Sequence, residues 1–284
     1  MAKDTSAPFR WRTVVEVAGI AAIIYVLLGA PGLPSAWRTG RSAEKDTPAV
    51  RTKIESLVSP AKELNCPTHK YETHVFSSSP LILYVDGFLS DSEAEHLIDI
   101  SADKWQISTV STDGIERTDE SVRKSEKALV QRDLTVQCIE QRALSFQGWP
   151  QDTFIERLWT QRYNESGHFA PHFDWSTATK TARRVSTFMV YVSANCTGGG
   201  TQFLRIERPQ AESWCQFVEC NVQSEGVTFK PRKGAAVFWE NFDAEGRGYR
   251  ETMHAGLPVE SGTKIGLNIW SWYQKGYRVD DGEP

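Results

Sequence analysis

The chain has 284 residues, of which 40% are hydrophobic, 24% charged and 11% aromatic, the make-up of a folded globular protein. That length admits one large domain or two small ones. Its formal charge is −4 and no run of Lys or Arg forms a stripe, which argues against a phosphate-tracking nucleic-acid surface.

From the N-terminus, Thr13 to Ala30 reads TVVEVAGIAAIIYVLLGA, with Glu16 as its single charge. Eighteen mostly apolar residues are just enough to cross a bilayer as a helix, and Glu16 lies within reach of the interface. Lys3, Arg10 and Arg12 precede this stretch, and positive charge tends to stay cytosolic. The expectation is a cytosolic tail over 1–12 and a transmembrane signal-anchor over 13–30. A signal peptide cleaved after LGA or PSA is the competing reading. Either route delivers the rest of the chain to the secretory lumen, as a single-pass type II protein of the endoplasmic reticulum or Golgi membrane in the uncleaved case.

Residues 31–67 hold Pro31, Pro34, Pro48, Pro60 and Pro67 among mixed charges and read as a linker, with a short helix near 50–58. From residue 68 to 284 the pattern is that of one compact domain. Leu81 to Val85 is a strand, and Ser90-x-x-Glu93 is a capping box. The helix it opens has Ala94, Leu97 and Ile98 on one side. A second helix is expected over 132–146, with Val136, Ile139 and Ala143 on one face. The polar stretch RTDESVRKS, 117–125, reads as a mobile loop.

Beyond Pro150 eight short candidate strands alternate with turns, over about 150–275. Two helices followed by such a series predict an α+β fold, an antiparallel barrel or double-sheet jelly roll with the helices packed outside. Five cysteines are present. Cys215 and Cys220 are close enough to pair, leaving Cys66, Cys138 and Cys196 as an odd set. Sequons occur at Asn164 and Asn195, and Asn195, in a glycine-rich stretch read as an exposed loop, is the better glycan candidate.

The chemistry concentrates in GHFAPHFDWS, residues 167–176. In an extended strand His172 and Asp174 project to one side, about 6 to 7 Å apart along the backbone. His168 shares their parity but lies roughly 13 Å from His172, too far for one ion. Of six histidines, His69, His74 and His96 precede the strand-rich region, which leaves His254 as the third ligand. Two imidazoles and a carboxylate on one face suit Fe(II) with open positions, whereas a closed structural zinc site needs a fourth ligand. Lys264 follows ten residues later. Gly256, Pro258 and Gly262 favour a turn that would lay the two strands side by side. A buried lysine there needs an anion, such as the far carboxylate of a metal-chelating dicarboxylate; a surface lysine after a hairpin is the alternative.

YNESGHFAPHFDW, RVSTFMVYVS, GGGTQF, GAAVFWEN and HAGLPVESGTKIGLNIW resemble, in order, the signatures of the prolyl 4-hydroxylase catalytic-domain family. These are Fe(II)/2-oxoglutarate dioxygenases, and the resemblance runs from about Pro80 to Trp272. It implies a double-stranded β-helix (jelly-roll) core and iron held by His172, Asp174 and His254. It implies that Lys264 pairs with the distal carboxylate of 2-oxoglutarate, with Tyr163 and Thr201 bonding to the same group. Arg184 and Trp270 would line a peptide groove, and VRKSEKALV would close over substrate. For Tyr163, Thr201, Arg184 and Trp270, packing or surface pairing is the alternative.

The implied reaction takes peptidyl proline, 2-oxoglutarate and O2 to hydroxyproline, succinate and CO2, with L-ascorbate rescuing oxidised iron. Hydroxylation of another side chain or a small molecule, or a non-catalytic binding subunit, are the rival readings. Two departures bear on the substrate. Glycine falls at 167, one place later than in the family pattern, and Trp272 stands where some relatives have histidine. The chain also lacks room for the peptide-binding and oligomerisation domains of animal collagen-modifying subunits, which argues against collagen.

Overall fold

The computed structural model describes residues 56–60, 63–112, 115–175, 178–223 and 225–277. The expected membrane span lies outside them, and no helix among the described residues is long and apolar enough to cross a membrane.

In chain order the elements are β1 (Leu57–Val58), β2 (Glu72–Ser78), β3 (Leu81–Asp86), α1 (Asp91–Asp99), β4 (Gln106–Ile107), β5 (Val110–Thr112), β6 (Ile115–Arg117), β7 (Arg123–Lys124), β8 (Glu126–Leu129) and α2 (Leu134–Phe146). There follow β9 (Thr153–Glu156), β10 (Trp159–Tyr163), β11 (His168–His172), β12 (Ala182–Gly198), β13 (Thr201–Phe203), β14 (Val227–Phe229), β15 (Ala236–Glu240), β16 (His254–Gly256) and β17 (Val259–Gln274). The capping box closes as expected: the Ser90 hydroxyl accepts from the Glu93 amide while Glu93 Oε2 accepts from the Ser90 amide at 2.8 Å. Helix α2 starts two residues later than the periodicity suggests, because the Asp133 carboxylate accepts from the Val136 amide and fixes the N-terminus there. Arg132, just outside, reaches the buried Glu140.

Two antiparallel sheets carry the fold. The larger runs β2-β3-β15-β12-β17-β10-β8-β4, with β9 joining β17 and β1 joining β9. The smaller runs β14-β13-β16-β11-β7. Strand alternation sorts the larger sheet's side chains into two cores. Leu83, Val85, Phe188, Val190, Val192, Ala236, Phe238, Ile265, Leu267 and Ile269 join Leu97, Val136, Ile139 and Leu144 of the helices. Their strand neighbours Ile82, Tyr84, Met189, Tyr191, Val237 and Trp239 pack against Phe203, Val227 and Phe229 of the smaller sheet. Helices, larger sheet and smaller sheet therefore stack in that order, and the second core is the floor of the site.

Several expectations are corrected. Leu57 and Val58 form a strand on β9 rather than a helix, and Cys66 is disulfide-bonded to Cys138 of α2. The end of the linker is thus tied into the domain. Cys215 pairs with Cys220, as expected, and Cys196 is the odd thiol left free. The stretch 117–125 is not a plain loop: Arg123 and Lys124 pair with Phe169 and His168, and β8 within VRKSEKALV pairs with β10. Asn195 is exposed but sits inside β12, opposite Thr263 of β17. The strands of His254 and Lys264 do not lie side by side. Only Leu257 and Pro258 separate β16 from β17, yet the first belongs to the smaller sheet and the second to the larger.

Candidate active site

His172 closes β11 and His254 opens β16, and the two are direct cross-strand partners. Their ring centroids are 4.3 Å apart. Asp174 is not in the strand, as alternation alone would have it, but in the turn immediately after, and is buried. The turn brings Asp174 Oδ1 to 3.7 Å from His172 Nε2 and Oδ2 to 3.9 Å from His254 Nε2. One ligand atom from each residue lies within 4.8 Å of the others. His168 stays apart, its ring bonding to the Ser166 carbonyl.

The surrounding hydrogen bonds set the ligand atoms. His172 Nδ1 lies 2.9 Å from the Ala170 carbonyl and His254 Nδ1 lies 3.0 Å from the Thr252 carbonyl. A carbonyl only accepts, so both Nδ1 atoms carry hydrogen and both Nε2 lone pairs point inward. Asp174 Oδ2 accepts from Thr187 Oγ1 at 2.9 Å and from the Trp270 indole at 3.2 Å. Behind Thr187, Asn241 donates to its hydroxyl, and Trp239 donates to Asn241.

Burial, and then His254, push the His172 imidazole down to about 3. For Asp174, burial works upward but is outweighed by His254, His172 and Arg184, which hold the carboxyl below the usual range. Neutral imidazole and ionised carboxylate are the states a divalent cation needs. Two nitrogens and one oxygen with lone pairs converging from one side fit Fe(II).

Lys264 is the next feature, 1% exposed. Its ammonium donates to the Gly199 carbonyl at 2.5 Å and lies 4.6 Å from the ring centre of Tyr163, its cross-strand partner on β10. No carboxylate among the described residues reaches it. Burial pushes it down to about 8, with Cys196 acting in the opposite direction. A desolvated cation with one carbonyl for company is suited to an incoming anion. Thr201 is buried on β13, its hydroxyl 2.8 Å from that of Tyr191.

The two residues assigned to a peptide groove sit beside the cluster. Trp270 donates to Asp174, and Arg184 lies 3.7 Å from the Trp270 ring centre. Arg184 also makes a bidentate pair with buried Glu156, at 2.6 and 2.9 Å. Trp272 is 5% exposed and packs with Leu57 and Ala182, so the place of a polar histidine is taken by core. The displaced glycine also has a cause. Ser166 takes the left-handed turn at φ 63°, and a Cβ at Gly167 would fall 2.7 Å from the Asn164 carbonyl.

Residues 158–272 match the 2OG-Fe(II) oxygenase superfamily, and that span contains all three converging ligands and Lys264. That segment belongs to this superfamily. It is 30% identical over 233 residues to prolyl 4-hydroxylase subunit alpha-3 of Mus musculus, an alignment covering 78% of this chain and 39% of the relative. It is 28% identical over 202 residues to subunit alpha-1 of the same organism, covering 67% and 34%. The chain thus spans well under half the length of these relatives. Among solved structures, a viral collagen prolyl hydroxylase of Paramecium bursaria Chlorella virus 1, in complex with 2OG, superposes with a TM-score of 0.50 at 24% identity. That alignment covers 67% of this chain and 95% of the other, and identifies the double-sheet core as a 2OG oxygenase fold.

Thr187, Asn241, Glu156 and Tyr191 were not singled out from the sequence. The available signal was polarity inside apolar strands: a threonine in RVSTFMVYV and an asparagine closing AAVFWEN need buried partners.

Proposed function

We propose that this protein is a lumenal peptidyl-proline hydroxylase that couples hydroxylation to the decarboxylation of 2-oxoglutarate. The prolyl 4-hydroxylase relatives support the substrate class, and the buried, carboxylate-free Lys264 beside the His172–Asp174–His254 cluster supports the co-substrate. His172, Asp174 and His254 would hold Fe(II), which when bound would activate O2, the oxidant of the reaction. Lys264 would take the distal carboxylate of 2-oxoglutarate, helped by Tyr163 and by Thr201 with its partner Tyr191. Thr187 and Trp270 keep Asp174 aimed, and the two backbone carbonyls keep both imidazoles in the ligating tautomer. The rings of Trp239 and Phe203 lie 4.7 and 5.7 Å from that of His254, and Phe169 stacks on His172 at 3.7 Å.

In this reading Arg184 is a positioning residue, clamped between Glu156 and Trp270. Two disulfides among five cysteines fit an oxidising compartment, and the apolar stretch 13–30 would anchor the protein there as a type II membrane protein. The test is succinate formation with Fe(II), 2-oxoglutarate and ascorbate, with and without proline-rich peptides, beside His172→Ala. Peptide-stimulated succinate with hydroxyproline in the product, absent in the variant, is the expected result. Succinate that no peptide stimulates would reject the prolyl assignment.

A further inference from the structure

The segment that carries the iron ligands is lined with rings, and guanidinium groups sit on them. Arg123 lies 4.7 Å from the centre of Phe169, which stacks on His172 at 3.7 Å. Arg205 lies 5.9 Å from Phe173, between the two ligands of the H-x-D triplet. Phe173 meets Trp175 at 4.6 Å and Trp175 meets Phe242 at 6.1 Å. Arg183 then spans Phe242 and Tyr273, at 4.9 and 5.6 Å.

None of these three arginines has a carboxylate within ion-pair distance among the described residues, unlike Arg132, Arg142, Arg162, Arg184 and Arg247. Arg123 Nε donates to the Ser125 hydroxyl and Arg205 to the Arg250 carbonyl. Arg183 Nε is buried and has no acceptor among the described residues. The acids nearest it in sequence on the facing loop, Asp243 and Glu245, are both taken by Arg247. A guanidinium on an aromatic face keeps its fork free for a carboxylate, and a buried donor without an acceptor is a standing cost until one arrives.

The His172 side chain is 23% exposed, against 4% for Asp174 and 8% for His254, so the cluster is reached past His172 and the neighbouring rings. Resting on the hydroxylase reading above, we infer that the substrate is an extended acidic peptide, with Asp or Glu flanking the hydroxylated residue and meeting Arg123, Arg183 and Arg205. The apolar rings between the arginines supply a face for the proline rings of a polyproline-type segment.

The test is equilibrium binding, so that it does not depend on turnover. The full-length chain in mild detergent, loaded with Mn(II) and 2-oxoglutarate, is titrated into fluorescent decapeptides followed by anisotropy. One peptide has a central proline flanked by Asp and Glu, one carries Asn and Gln instead, one carries Lys, and one is acidic with alanine for proline. The acidic peptide should bind about tenfold more tightly than its amide twin at low salt, and the gap should close near about 0.5 M salt. Arg183→Gln with Arg205→Gln should cut the preference severalfold while leaving the amide peptide's affinity in place; thermal melting checks that the variant is folded. Equal binding of acidic and amide peptides, a preference for the Lys peptide, or an unchanged preference in the folded double variant would each overturn the inference. Tight binding of the acidic peptide that survives proline-to-alanine replacement would uphold it and reject the prolyl reading. Tighter binding of an oligothymidylate than of any acidic peptide would overturn it in favour of a nucleic-acid ligand.

Discussion

His172 and His254 face each other across an antiparallel pair, as register partners, with their rings 4.3 Å apart. Each uses Nδ1 on the carbonyl two residues before it. The metal site therefore inherits its geometry from the β-ladder rather than from flexible side chains. Replacing either histidine by alanine should lower metal affinity by more than about 100-fold and abolish succinate formation, since loss of outer partners alone costs about 10- to 100-fold. Cobalt(II) absorption and a succinate assay on the same preparations check both.

Thr187 isolates the contribution of the outer shell. Thr187→Val keeps the shape but removes a donor to Asp174 and a bond with Asn241. The expected result is an unaltered fold with metal affinity lowered about 10- to 100-fold. A cobalt titration with unchanged affinity would show that Trp270 suffices to orient the carboxylate.

Lys264 opposes stability and favours binding. An unfolded lysine keeps its proton to about 10.5, whereas the folded one releases it near 8. Between those values the unfolded chain binds more protons, so stability without 2-oxoglutarate should climb as pH rises through that window. The full gain is roughly 3 kcal/mol, and Lys264→Met should remove the slope. The same variant should be at least as stable as the wild type at pH 7, yet gain almost nothing in Tm from 2-oxoglutarate. Denaturant melts at stepped pH, with and without co-substrate, measure all three quantities.

Glu156 and Arg184 form a pair that is costly to break from one side. Glu156→Ala leaves a largely buried guanidinium uncompensated and should cost about 3 to 5 kcal/mol. Glu156→Ala with Arg184→Met should recover much of that loss. If Glu156→Ala unfolds at the same denaturant concentration as the wild type, the pair has no structural role.

The two disulfides should differ in weight. Cys66–Cys138 encloses a separation of 72 residues and Cys215–Cys220 one of 5. Loop entropy assigns roughly 4 kcal/mol to the first and roughly 2 kcal/mol to the second. Serine replacements pair by pair, melted in denaturant, test that order.

The sequence carried the metal triad because few histidines compete for it and because H-x-D keeps its spacing through the turn after β11. The capping box and the strand series were also legible, since cap chemistry and period-two patterning are local. What stayed hidden depends on contacts distant in the chain. Nothing near Thr187 announces Asn241, 54 residues away. Nothing near Arg184 announces Glu156. The polar run 117–125 resembles a loop because its short strand draws its hydrogen bonds from β11 rather than from an apolar face. The assignment of His254 and Lys264 to adjacent strands failed because a two-residue link containing Pro258 switches sheets instead of closing a hairpin.

That switch fixes a length. His254 is part of one sheet and Lys264 of the other, so the interval between metal cluster and ammonium is set by how far apart the two packed sheets stand. No loop is available to lengthen or shorten it. A diacid held at both ends would act as a strut between the layers, and the interior works as a gauge for it. A shorter diacid would leave the ammonium unmatched, and a longer one would have to prise apart the core of Phe203, Phe229 and Trp239. Selection of the co-substrate by carbon count would then be a property of sandwich thickness, beyond the reach of single substitutions around the carboxylate.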